Sequence, residues 1–431
     1  MYTLPKIERF QQNVASKYTI YNSVFITLPF DEINNTGVLL PLFSEVCENG
    51  YRNEQSPAEI FETFVTKYLD NPSEEEKISL LFRFIQYVER QVVLFDAIED
   101  AAFPIVNNME GKSSIRAIKE TAESEGKTKE LKEFLENFKV RTVLTAHPTQ
   151  FYPGSVLGII TDLTEALKSN NHIVIKDLLA QLGKTPFFKK EKPTPFDEAV
   201  SLIWYLENVF YPTASEMVHY LQKNIFKGNE LKNDVLNLGF WPGGDRDGNP
   251  FVTTEITLKV AERLRTSILK CYYTDIRKLK RKLTFTGVDV IIAELENKLY
   301  RSVFYSQGEI FISLEEFKLQ LHNIKNIILE KHQSLYVDEV DLLLNKVNLF
   351  GFHFATLDIR QNSKIHKTVF QDIVQKEKSL FPADYFSLSE PAKIDILSKA
   401  SAQLKASDFD NEITKETISS IEAIQIGRAH V

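Results

Sequence analysis

Apolar positions recur at helical spacing through most of the chain. In SEEEKISLLFRFIQYVERQVVLFDAIED, Ser73 and Glu76 form a capping-box pattern, and Ile78, Leu81, Phe82, Ile85, Val92 and Phe95 follow at intervals that suit one helix face. The spacing predicts a long amphipathic helix with a wide buried stripe carrying those six side chains. Similar patterns predict helices over residues 56–69, 114–137, 154–168, 196–226, 254–283, 288–302, 315–333 and 336–346, with short connections and no internal repeat. The glycine content, 16 in the chain, fits helices better than extended sheet. KTPFFKKEKPTPFDEA, residues 184–199, is the nearest thing to a breaker-rich linker; its basic residues line either a solvated loop or a phosphate patch.

Three segments depart from the helical pattern. VRTVLTA (140–146), VLNLGFW (235–241) and LFGFHFATLDI (349–359) are β-branched or aromatic, too short for typical helices, and each lies between long helical stretches. Strands that alternate with helices predict a parallel sheet. About a hundred residues separate successive strands, so each crossover has to carry several helices. Ligands bind where the C-terminal ends of parallel strands deliver their loops. Here those positions hold His147, then Gly243 to Asn249, then Arg360.

Composition narrows the chemistry. With 431 residues, 43% hydrophobic and 26% charged, the chain has the make-up of one large or two ordinary globular domains. A net charge of -8 argues against a broad nucleic-acid or anionic-membrane footprint, so any bound anion is met by a few placed arginines. Cys47 and Cys271 form no CxxC or zinc spacing and read as core thiols in a reducing compartment. MYTLPKIERFQQ lacks the pattern of a secretory leader, and no apolar run approaches a membrane span, so the expected location is cytoplasmic.

The three loops carry different chemistry. Pro148 disfavours the α conformation at His147, so the imidazole leaves the strand end in a restrained direction, and its ordinary pKa of about 6.5 suits proton transfer near neutrality. The residues alone leave a buried structural histidine equally open, while no carboxylate or second histidine stands three or four positions on to make a metal pair. FWPGGDRDGNPFVT gathers Gly243, Gly244 and Gly248 around Asp245, Arg246 and Asp247. Such glycine density permits close backbone approach to a ligand, with Arg246 as an anion fork; a structural turn fixed by Asp-Arg pairs is the competing reading. The spacing does not supply a calcium loop, GKS at 111–113 lacks the glycine of a P-loop, and no GxGxxG occurs. In TLDIRQNS, Arg360 offers a guanidinium to a phosphate or carboxylate.

TAHPT at 145–149, GGDRDGNP at 243–250 and DIRQ at 358–361 together resemble the hallmarks of phosphoenolpyruvate carboxylases, and KPTPFDEA at 192–199 is similar to a further family element. The resemblance runs over roughly residues 5 to 425 and covers the N-terminal half of the family; Gln150 and Asn362 stand where many members have glutamate. It implies a mostly α fold around a (β/α)8 TIM-type barrel, of which this chain carries the helical N-terminal body and the first strands. On that reading residues 1–139 are an N-terminal helical region and 140–425 an incomplete, helix-rich barrel domain. Carboxylation of phosphoenolpyruvate by bicarbonate to oxaloacetate and phosphate is the implied reaction. His147 then matches the catalytic histidine, Arg360 a substrate-phosphate contact and Arg246 part of the wall. Mg or Mn is the implied cofactor, held by residues of the family's C-terminal half, and a homotetramer is the implied assembly. A non-catalytic scaffold or regulatory paralogue, and a phosphoenolpyruvate enzyme working through a phosphohistidine, are the alternatives.

The last six residues, IGRAHV (426–431), match a translation of the start of a widely used sequencing adaptor, and are expected to be an artefact tail after which the natural protein continues. The 431-residue chain is therefore expected to be inactive alone.

Overall fold

The computed structural model describes all residues except 1–4, 27–35, 110, 113, 146–151, 153, 188–192, 228–230, 232, 234, 306–310 and 430–431. It is mostly helical with one small sheet, and divides into two compact units, one of Met1–Thr121 with Pro148–Lys192 and one of Ala122–His147 with Pro193–Val431. Among the described residues no helix is long and apolar enough to cross a membrane.

The first unit is organised by the Glu74–Asn107 helix, which starts at the predicted capping box: Ser73 Oγ accepts from the Glu76 amide and the Glu76 carboxylate accepts from the Ser73 amide. Its buried face is not the predicted one. Ile78 and Phe82 are each 55% exposed and Ile85 and Val92 are exposed with them, whereas Leu80, Phe84, Tyr87, Val93, Leu94, Ala97 and Ile98 are buried. Apolar residues cover nearly the whole circumference here, so periodicity alone cannot choose a face. Packing chooses it: Phe84 stacks on Phe43 at 5.3 Å and meets Phe64 edge-on at 6.0 Å. Further along, Tyr87 to Val106 pack with the Gly154–Lys168 and His172–Lys184 helices. Buried Arg90 ties these helices together, its Nε donating to the Leu182 carbonyl at 3.1 Å and its Nη2 to that of Thr185 at 2.9 Å, carbonyls that the end of a helix leaves free.

The helix predicted over 114–137 is two, Ile115–Ser124 and Thr128–Asn137, because Gly126 takes φ +69° and the Lys127 amide turns back to the Ala122 carbonyl at 2.7 Å. The KPTPFDEA element holds a helix start: Thr194 is the N-cap, Pro195 occupies the first turn and Asp197 closes a capping box. From there the helix predicted over 196–226 runs from Pro195 to Asn224 and passes through a π-helical turn at Leu206–Phe210.

The second unit holds the predicted parallel sheet, β1 (Val140–Leu144), β2 (Leu236–Phe240) and β3 (Thr356–Leu357), in the order β1-β2-β3. Val140 stands opposite Leu236 and Leu144 opposite Phe240; Gly239 and Phe240 then pair with Thr356 and Leu357. The third strand is much shorter than the predicted 349–359. Leu349 and Phe350 continue the buried stripe of Val340, Leu343, Leu344 and Val347, so the Val337–Phe350 helix claims them and ends at Gly351, φ +51°. An apolar run at such a boundary fits either period, and burial of Phe350 decides it. Leu144, Leu238 and Phe240 join the core formed by the Thr254–Lys280, Asp289–Phe304, Leu314–Lys331 and Val337–Phe350 helices. Among the described residues β1 and β3 each pair along one edge only.

Candidate functional site

The loops that follow β2 and β3 are joined by backbone. Past the last β3 residue, the Asp358 amide donates to the Phe240 carbonyl at 2.9 Å, the Arg360 amide to Gly244 at 3.0 Å, and the Arg246 amide back to the Arg360 carbonyl at 2.9 Å. A parallel bridge between Asp245 and Arg360 thus continues the sheet past its strands. Two of the glycines are required by this closeness. Gly243 has φ +80° with Val260 where a Cβ would stand, and a Cβ on Gly244 would lie 2.3 Å from the Asp358 carbonyl oxygen. Gly248 also has positive φ, +75°, but faces open space.

Arg360 is held by two side chains and remains partly open. Its guanidinium lies over the Trp241 ring, 3.9 Å from the centroid, and its Nη1 donates to Asp245 Oδ2 at 3.1 Å, while 41% of the side chain remains exposed. The stack contributes about 0.5–1 kcal/mol at such an exposed position, and the half-exposed ion pair adds little to stability but fixes direction. Asp358 supports the stack from below: its Oδ2 accepts from Trp241 Nε1 at 3.1 Å and its Oδ1 from Arg141 Nη2, on β1, at 2.5 Å. Asp245 thus pairs with the arginine of the neighbouring loop and not with Arg246 of its own.

Arg246 sits differently. It is only 7% exposed, and its guanidinium turns towards the Glu412–Ala429 helix, where Nη1 donates to the Glu416 backbone carbonyl at 3.3 Å and lies 3.5 Å from the Glu416 carboxylate. Nη2 reaches Thr254 Oγ1 at 3.2 Å and Thr257 Oγ1 at 3.5 Å. Burial pulls the pKa of this guanidinium down from its ordinary value, and the Glu416 carboxylate pushes it partly back. The same carboxylate accepts from the amide and hydroxyl of Thr254, satisfying one of the free N–H groups at the start of the Thr254–Lys280 helix, which Thr253 caps. Arg246 thus anchors its loop. Beside it opens a cleft of about 700 Å³ whose lining includes Gly248, Asn249, Gln361, Asn362, Lys364 and Glu416. Replacing Glu416 by alanine is expected to destabilise the second unit by about 1 kcal/mol, the value of charge-assisted hydrogen bonds discounted for a half-exposed carboxylate; urea unfolding of the two chains measures it.

His147 lies outside the described residues. β1 carries the chain to this same end of the sheet, the Leu144 carbonyl accepting from the Trp241 amide at 3.0 Å three residues before His147 in sequence. Trp241, Arg141 and Glu416 were not picked out from the sequence. Trp241 reads there as the last residue of a strand, and nothing local to the other two marks partners 217 and 170 residues away. Among the described residues no three His, Cys, Asp or Glu side chains gather in a way that would hold a metal ion.

Curated relatives of this chain include proteins named phosphoenolpyruvate carboxylase. That of Shewanella sediminis is 28% identical over 285 residues, 56% of this chain and 32% of its own length. Those of Nitrosomonas eutropha, 28% identical over 58% of this chain, and Vibrio atlanticus, 26% identical over 61%, are covered over 33% and 34% of their lengths. The chain thus spans about a third of the length of the relatives it matches. The family model for phosphoenolpyruvate carboxylase matches residues 77–306 and 292–430, taking in β1, the 243–250 loop and the Arg360 loop. By that match over most of its length, this chain belongs to the phosphoenolpyruvate carboxylase family.

Proposed function

We propose that these residues form part of an enzyme that carboxylates phosphoenolpyruvate with bicarbonate, giving oxaloacetate and inorganic phosphate and so feeding the tricarboxylic acid cycle. The supporting observation is the bridge between Asp245 and Arg360, which unites two of the family's loops at one end of the sheet and leaves a guanidinium partly open there. In the proposed sequence a bicarbonate oxygen attacks phosphorus, the bond from phosphorus to the enol oxygen breaks, and carboxyphosphate and the enolate of pyruvate result. Carboxyphosphate parts into carbon dioxide and phosphate, and the enolate carbon bonds to the carbon dioxide. Arg360 meets the phosphoryl oxygens with the N–H groups not taken by Asp245, a charge-assisted contact of about 1.5–3 kcal/mol. His147 acts as general base towards the proton of carboxyphosphate. Arg246 serves the wall of the site by holding the 243–250 loop against the Glu412–Ala429 helix.

Mg or Mn is the cofactor we propose for the full-length protein, where it would supply Lewis acidity at the enolate oxygen. The described residues offer no cluster of His, Cys, Asp or Glu that fits it. A homotetramer and a cytoplasmic setting belong to the same proposal, as does the full (β/α)8 barrel. The test is bicarbonate-dependent oxaloacetate formation by the full-length protein, coupled to malate dehydrogenase. Turnover that requires both substrates is expected, and its absence rejects the reading. The 431-residue chain is expected to give no turnover alone, and measurable activity from it would count against the proposed division of the site.

A further inference from the structure

Asp358 sits at the centre of a relay that no single motif contains. One carboxylate oxygen accepts from Trp241 Nε1 at 3.1 Å and the other from Arg141 at 2.5 Å, and the Trp241 ring in turn carries the Arg360 guanidinium at 3.9 Å. Every strand, or the loop that follows it, contributes: β1 gives Arg141, β2 gives Trp241, and β3 gives both Asp358 and Arg360. An indole has a single N–H, so an acceptor placed on it fixes the plane of the ring. A cation held by the face of that ring is then fixed in height and tilt. Arg141 neutralises the carboxylate, so that Asp358 serves the indole without drawing Arg360 down into an ion pair of its own.

We propose that Asp358 is a positioning residue, acting through the Trp241 ring to set the direction in which Arg360 presents its open N–H groups to an anion. The proposal rests on the reading of Arg360 as a phosphate contact for its purpose, but its geometry is testable without turnover. Trp241 is one of only two tryptophans, and Trp204, on the Pro195–Tyr205 helix and 45% exposed, is the other. A Trp204→Phe chain therefore reports on the stack alone.

In that background Arg360→Gln is expected to change the emission of Trp241, because it removes a charge from the ring face. In an Asp358→Leu background the same substitution is expected to change the emission far less, since the ring no longer lies under residue 360. Asp358→Asn, isosteric and checked for fold by circular dichroism, stands in if the leucine variant does not fold; it keeps a weaker acceptor and loses the Arg141 pair, and is expected to show a reduced coupling. Asp247→Asn removes a nearby charge that bonds Asn362 and should leave the coupling untouched. An equal response to Arg360→Gln in every background overturns the proposal. Titration with inorganic phosphate, followed by the same emission, is expected to give binding roughly tenfold weaker in the Asp358 variants, which corresponds to about 1.4 kcal/mol. If phosphate fails to bind the Trp204→Phe parent, the reading of Arg360 as a phosphate contact loses its support in this chain. The emission coupling still decides whether Asp358 positions it.

Discussion

Gly244→Ala is expected to lower the stability of the second unit by about 3 kcal/mol, at the upper end of what overpacking costs. The added methyl would lie 2.3 Å from the Asp358 carbonyl oxygen, and that oxygen belongs to backbone, which cannot swing aside as a side chain can. Relief requires the two loops to part, and parting them breaks the hydrogen bonds that Gly244, Arg246 and Arg360 exchange. Gly248→Ala provides the comparison. It has a positive φ, +75°, which Gly244 does not, but meets nothing within contact distance, so its cost is backbone strain alone, about 1 kcal/mol. Urea unfolding followed by Trp241 emission in a Trp204→Phe chain measures both. Equal losses for the two glycines would mean that the loops are not joined as described.

His147→Asn in the full-length protein is expected to reduce kcat for oxaloacetate formation by about 10²–10⁴, the range in which a placed general base contributes. Asparagine keeps polarity and approximate size but cannot take a proton at neutral pH. The Michaelis constant for phosphoenolpyruvate should change little, because the phosphate contact is assigned to Arg360. The coupled assay and direct measurement of phosphate release give the two constants. A variant with unaltered kcat removes the histidine from the mechanism. A stable ³²P label on His147 after incubation of the unmodified protein with labelled phosphoenolpyruvate would replace the general base with a phosphohistidine.

Short-range signals in the sequence and tertiary choices in the structure divide cleanly at particular residues. β1 and β2 are legible because VRTVLTA and VLNLGFW are short, carry β-branched or aromatic side chains and are flanked by long helical periods. β3 is legible as a position but not as a length, since Leu349 and Phe350 suit either element and the helix core takes them. On the Glu74–Asn107 helix the existence of the element follows from its period, but its buried face does not, because Ile78 and Leu80 are equally apolar and the partners of Phe84 lie elsewhere in the chain. At the site, the strand-end rule finds the loops of Arg246 and Arg360, and the structure joins them. It does not distinguish the two arginines. One is spent on Glu416 and two threonines, the other rides on an indole with hydrogen-bonding capacity to spare, and those partners are set by the fold alone.

The pairing of β1 with β2 also sets an order of events during synthesis. Val140 must wait for Leu236, about a hundred residues later, before it gains its neighbour, and Gly239 waits a similar span for Thr356. Closure of loops that long is slow and comes after local structure has formed. The helices of the first unit are complete by residue 192, well before β2 leaves the ribosome, so they can condense while β1 is still single. β1 therefore stays an unpaired strand, with Val143 and Leu144 uncovered, while about a hundred further residues are made. A charged substitution at either, which the finished sheet must also bury at Leu144, is expected to show first as a loss of yield in vivo.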